Sequence, residues 1–171
     1  MKKQKTPPVT VGADQGETLS VVGDTYRILA SGKQTDGQFA TIDMLIPPGG
    51  GPGPHAHANF QETFYVIEGT IEVTSEAGSY LAMAGSYVAI PKGGIVHQFK
   101  NNTQEIAHLL CTVIPSGLEA MFIEIGNPVS PGTFLPPPSM DENAAKQLQT
   151  VAEKYGQQVY PSNFFNNTYP H

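Results

Sequence analysis

The sequence predicts an all-β domain, an antiparallel sandwich or barrel, that ends in a proline-rich linker and a short helix. Up to about residue 118 no helical periodicity is present, and short β-branched and aromatic segments alternate with Gly, Pro, Asn and Asp. Glycine (18) and proline (15) are abundant while charged residues make up 14% of the 171-residue chain, a mix that suits short strands and turns better than a helical bundle.

Residues 1–16, with Lys2, Lys3 and Lys5 near the start, read as a flexible solvated segment, and 17–127 as the barrel. Strands are expected at 18–22, 25–29, 39–46, 63–67, 70–74, 79–82, 87–90, 97–99 and 107–114, with a further candidate around His55 and His57. Turn chemistry separates them at 23–24, 36–37, 47–53, 76–78, 84–86, 92–94 and 101–104. From 128 to 171 the pattern changes. Five prolines between Pro128 and Pro138 oppose helix and sheet alike and read as an extended linker. Ser139 and Glu142 fit a capping box, Ala144, Ala145, Leu148, Val151, Ala152 and Tyr155 recur at helical spacing, and Gly156 is placed to end the helix. The apolar side of that helix needs cover, either on its own barrel or on a second subunit.

A formal net charge of -6 argues against a nucleic-acid partner, because phosphate backbones demand a basic surface. A single cysteine, Cys111, excludes an intrachain disulfide. With no apolar run behind the N-terminal lysines and no stretch able to span a bilayer, the expected location is cytoplasmic, with no membrane partner.

The chemistry concentrates between Gly49 and Asn101. His55 and His57, two apart in a strand, share one face. Glu62 lies five further on, an odd interval that a straight strand would send to the other face, so a turn or bulge near Asn59 is needed to bring it back. His97 follows a glycine-rich turn. Three imidazoles and one carboxylate suit one divalent transition-metal ion (Fe, Mn, Ni, Co, Zn or Cu) and suit Mg or Ca less. Four protein ligands on a six-coordinate ion leave two positions open for water, substrate or dioxygen.

These residues resemble the two cupin motifs. Gly49, His55, His57, Glu62 and Gly69 match the first at every spacing, and Gly85, Pro91, Gly93, His97 and Asn101 resemble the second. Three residues separate Gly93 from His97 where the family has two, so either the turn is longer or Gly94 takes the glycine's role. The resemblance implies a cupin double-stranded β-helix (a jelly-roll barrel) with His55, His57, Glu62 and His97 around a metal near its centre. Strand alternation then nominates Met44, Phe64, Val66, Phe99, Leu109 and Cys111, with Ile46 and Val113, as an apolar pocket, although each taken singly better suits ordinary barrel core. Cys111 shows no base beside it in the sequence pattern, His108 points outward, and His171 is terminal.

The tail, with its proline-rich linker and a short helix ending in Lys154, Tyr155 and Gly156, also resembles that of quercetinase-like small cupins. This implies a dioxygenase of an enolic or aromatic small molecule, with Glu62 as the catalytic proton acceptor. Two other classes stay open: a metal-dependent isomerase, epimerase or lyase of a sugar or oxo-acid, and a non-catalytic small-molecule binder. A homodimer is expected, through residues 18–29 and the C-terminal helix, which would cover an exposed sheet edge.

Overall fold

The computed structural model describes residues 7–167; Lys2, Lys3, Lys5 and His171 lie outside them. The chain forms β1 (Glu17–Val21), β2 (Asp24–Ala30), a single turn α1 (Gly32–Thr35), β3 (Ala40–Ile46), β4 (His55–His57) and β5 (Gln61–Glu68). It continues as β6 (Thr70–Ser75), β7 (Gly78–Met83), β8 (Tyr87–Ile90), β9 (His97–Lys100) and β10 (Ala107–Ile114). Then follow α2 (Leu118–Ile125), β11 (Asn127–Pro128), α3 (Glu142–Lys154), β12 (Gln157–Val159) and a 3-10 turn, Phe164–Asn167.

Two antiparallel sheets result, ordered β11-β1-β2-β3-β10-β5-β8 and β12-β4-β9-β6-β7, the antiparallel architecture expected from the strand pattern and the jelly roll implied by the cupin resemblance. Alternation along β3 and β10 puts Ala40, Ile42, Met44, Ile46, Ala107, Leu109, Cys111 and Val113 between the sheets, each at most 1% exposed. The crossing from one sheet to the other between β4 and β5 takes only residues 58–60.

Several expectations need correction. Asp24, read as a turn residue, is the first residue of β2 and is buried. The helix is capped by Asp141, not Ser139: the Asp141 carboxylate accepts the Ala144 N–H at 2.9 Å. The linker is not wholly outside the sheet, since Pro128 pairs with Leu19 at a sheet edge, where its missing N–H costs no ladder bond. Helix α2 falls inside the segment 17–127 expected as the barrel, after its last expected strand. The C-terminal helix covers its own barrel: Ala152 is fully buried, with Val151 and Tyr155 packed on the core.

Asn101 of the second motif ties this end of the barrel together. Its side-chain amide donates to the Ile46 carbonyl at 2.9 Å and the Glu105 carbonyl at 2.7 Å, while its oxygen accepts from Thr103. Its backbone exchanges hydrogen bonds with Gly49 and Gly50. Removing a fully buried hub of this kind orphans several backbone groups. Asn101→Ala is expected to lower unfolding stability by about 2–4 kcal/mol, read from denaturant midpoints.

Candidate metal centre

His55 and His57 lie on the three-residue strand β4, His97 opens β9, and Glu62 is on β5 of the facing sheet. That placement resolves the odd interval between His57 and Glu62. The chain changes sheets between them, so both side chains point into the space between the sheets from opposite sides. His55 stands in register with His97 on the neighbouring strand, ring centroids 4.3 Å apart. Phe60 stacks on the His57 ring at 4.3 Å within the crossover.

The lengthened turn before His97 leaves that ligand in place. Gly93 and Gly94 both have positive φ, 118° and 80°, and Gly93 N–H donates to the Ala58 carbonyl. Two consecutive glycines absorb the extra residue inside the turn.

One ligand atom from each of His55, His57, Glu62 and His97 lies within 4.8 Å of the others, and all four residues are buried. Each imidazole is oriented through its other nitrogen. His55 Nδ1 meets the Gly53 carbonyl at 2.9 Å, His57 Nδ1 the Phe60 carbonyl at 3.1 Å, and His97 Nδ1 the Ile95 carbonyl at 3.0 Å. A carbonyl only accepts, so each Nδ1 carries the hydrogen, and in the neutral form a metal requires, each ring turns its Nε2 lone pair inward. Those lone pairs face Glu62 Oε2, 3.3 Å from His57 Nε2 and 3.6 Å from His97 Nε2. His97 Nε2 is fully buried and has no hydrogen-bond partner among the described residues. Acceptors aimed at acceptors in a buried site call for a cation between them, and this donor set fits a divalent transition metal.

The electrostatics agree. Burial, reinforced by His97, pushes His55 down to about 4, which keeps it in the neutral form a metal needs. Burial alone would raise the Glu62 carboxyl, but the His57 and His97 rings beside it outweigh that and hold it below the ordinary carboxylate range. Cys111 does have an acceptor beside it: Sγ lies 3.4 Å from Glu62 Oε1, and burial together with that carboxylate pushes the thiol up, so it stays protonated. His108 points outward as expected and pairs with Asp43, which also holds Arg27.

A cavity of about 150 Å³ opens beside the site, and His55 and Glu62 form part of its wall. Of the nominated pocket residues, Met44 and Phe99 line it. Phe64, Val66, Leu109 and Cys111, with Ile46 and Val113, pack into the core instead, because the apolar wall comes from elsewhere. Helix α2 supplies Leu118, Met121, Phe122 and Ile125, α3 supplies Leu148, and β12 supplies Gln157 and Val159. Residues 118, 121, 122 and 125 have helical spacing, a signal present in the sequence that its reading overlooked. Asp24 and Tyr26 of β2 also line the cavity and carried no such signal.

Residues 42–113 match the family model described as a cupin domain, in agreement with the fold and the site, so the chain carries a cupin domain over that segment. Quercetin 2,3-dioxygenase of Bacillus subtilis (strain 168) is 26% identical over 121 residues, 71% of this chain. The chain spans only 35% of that relative's length. Among solved structures, an RmlC-like cupin from Shewanella frigidimarina has a TM-score of 0.57 at 18% identity, covering 67% of this chain and 96% of that one. A sugar phosphate isomerase from Silicibacter pomeroyi has a TM-score of 0.56 at 22% identity, covering 63% and 76%. Ectoine synthase from P. lautus has a TM-score of 0.52 at 22% identity, covering 76% and 88%. These likenesses show the fold.

Two outcomes are expected. Elemental analysis should find about one divalent metal per chain in the wild type and little in His57→Ala, since the loss leaves an incomplete set. The second concerns metal-free protein. Between about 4 and the ordinary 6.5 the unfolded chain binds a proton at His55 that the folded chain refuses, so this group lowers stability as pH falls through that window. Asp24, raised by burial to about 6 from 3.8, acts oppositely: the folded carboxyl holds a proton that the unfolded one releases, favouring the folded state as pH falls. Metal-free Asp24→Asn should therefore lose stability more steeply than wild type between pH 6 and pH 4, read from urea midpoints.

Proposed function

We propose that this cupin is a metal-dependent dioxygenase of a small enolic or aromatic molecule, about one ring in size. The observation behind this reading is the wall of the cavity: two of the four convergent ligands form part of it, and the rest is largely apolar. A space of about 150 Å³ is comparable to engineered apolar cavities that take up benzene. It suits a single planar ring. Among the described residues no Lys or Arg lines the cavity, which weighs against an anionic sugar phosphate.

His55, His57, Glu62 and His97 would hold the metal. Bound there, a divalent ion supplies the positive charge that acidifies an enolic hydroxyl and, for a redox-active metal, a path for electrons to dioxygen. Glu62, held ionised, accepts the hydroxyl proton; the spare lone pairs of a carboxylate let it do so without leaving its place between the histidines. Phe99, Met44 and the α2 side chains exclude water from the ring and hold it flat against the site.

The test is oxygen uptake by protein loaded in turn with Fe, Mn, Ni, Co and Cu, offered single-ring enols and catechols. One dioxygen should be consumed per substrate lost, and Glu62→Gln should lower the rate per bound metal about 100-fold or more. Absence of uptake with every metal form would overturn the reading.

A further inference from the structure

Beside the two ligand residues, the cavity wall carries three other polar side chains: Asp24, Tyr26 and Gln157. Asp24 and Tyr26 are each only 4% exposed and sit on the same inward face of β2. Asp24 Oδ1 accepts the Gly51 N–H at 3.2 Å, and Oδ2 accepts the Tyr26 hydroxyl at 3.1 Å. The loop passes so near that a Cβ on Gly50 would lie 2.4 Å from Asp24 Oδ1. The carboxylate is thus clamped on both sides, and its orientation is set before any ligand arrives. A carboxylate offers about four acceptor positions, and two of those on Asp24 are taken. The remainder belong to a group that lines the cavity shared by His55 and Glu62.

We propose that Asp24 is a specificity-determining residue, accepting a hydrogen bond from a second hydroxyl of the ligand, separate from the oxygen held at the metal site. The cavity then selects a ring with two polar points, an enolic or phenolic oxygen at one and a free hydroxyl donor at the other. Asp24 and Tyr26 lie outside residues 42–113, so this selection is made by a part of the chain that the cupin match does not cover. Burial raises the Asp24 carboxyl to about 6, so it remains mostly an acceptor at neutral pH. The proposal rests on the reading of the cavity as the ligand site of the metal.

Two hydroxypyrones test it: kojic acid and allomaltol share one metal-binding hydroxy-ketone edge and differ only by a hydroxyl on a side methyl group. Binding of each to the full chain loaded with Zn(II), which does not turn over by redox, is measured by calorimetry. Wild type should bind kojic acid about tenfold more tightly, as suits one hydrogen bond to a charged acceptor. In Asp24→Ala, with zinc content unchanged, the ratio should fall to about one while both pyrones still bind. A merely structural Asp24, serving only to tie down the loop at Gly51, would weaken both ligands equally and leave the ratio intact; that result overturns the proposal, as does a wild-type ratio near one. Should Asp24→Ala fail to hold zinc, Tyr26→Phe decides: it frees Oδ2, so the ratio stays at tenfold or rises. A lost ratio there assigns the hydroxyl to Tyr26 and overturns the assignment to Asp24. Failure of both pyrones to bind wild type overturns the proposal along with the ligand-site reading. A kojic acid preference without oxygen uptake on any substrate leaves Asp24 in its role and removes the dioxygenase, whereas uptake without the preference does the reverse.

Discussion

Buried lone pairs aimed at one another form the constraint on which this structure depends. Three imidazoles are locked by backbone carbonyls into the tautomer that turns Nε2 inward, toward a carboxylate that also offers only electrons. Such a point calls for a cation, and each group is held in place from outside. The Nδ1 partners are the carbonyls of Gly53, Phe60 and Ile95, all in loops or crossovers beside the strands. The loops that punctuate the barrel are therefore the second layer of the site, and their shape matters as much as that of the strands.

The cavity beside this point is assembled differently. The matched cupin segment brings the ligands together and contributes Met44 and Phe99, while β1, β2, α2, α3 and β12 supply most of the remaining wall. The four convergent ligands all come from the matched segment, whereas the cavity wall is shared between that segment, with its loop at Gly51 to Pro54, and the elements outside it. Fold does not fix function, so barrel likeness alone leaves the substrate undecided.

The legible part of the sequence was the part with strong periodicity or fixed spacing. Alternation in β3 and β10 marked the core, and the His-x-His pair with Glu62 and His97 marked the centre. The odd interval to Glu62 was legible as a problem, and its solution, a change of sheet at residues 58–60, required the three-dimensional path. Helix α2 was readable from Leu118, Met121, Phe122 and Ile125 but was masked by the strands before it. Asp24 was obscured by its neighbour Gly23, since a Gly-Asp pair carries turn chemistry whether or not the aspartate ends up buried. The closeness of Cys111 to Glu62 depends on the pairing of β10 with β5, Cys111 opposite Phe64 and Val113 opposite Glu62, which one sequence does not specify.

Strand β4 is only three residues long, yet it carries two of the four ligands. On one side it is held by β12, where Gln157 pairs with His57 a hundred residues further along the chain. Behind it, Ala56 packs against Phe165, with Tyr160 and Phe164 alongside. Two of the four ligands are thereby braced by contacts a hundred residues distant in sequence, so any loosening of residues 157–165 is felt directly at His55 and His57.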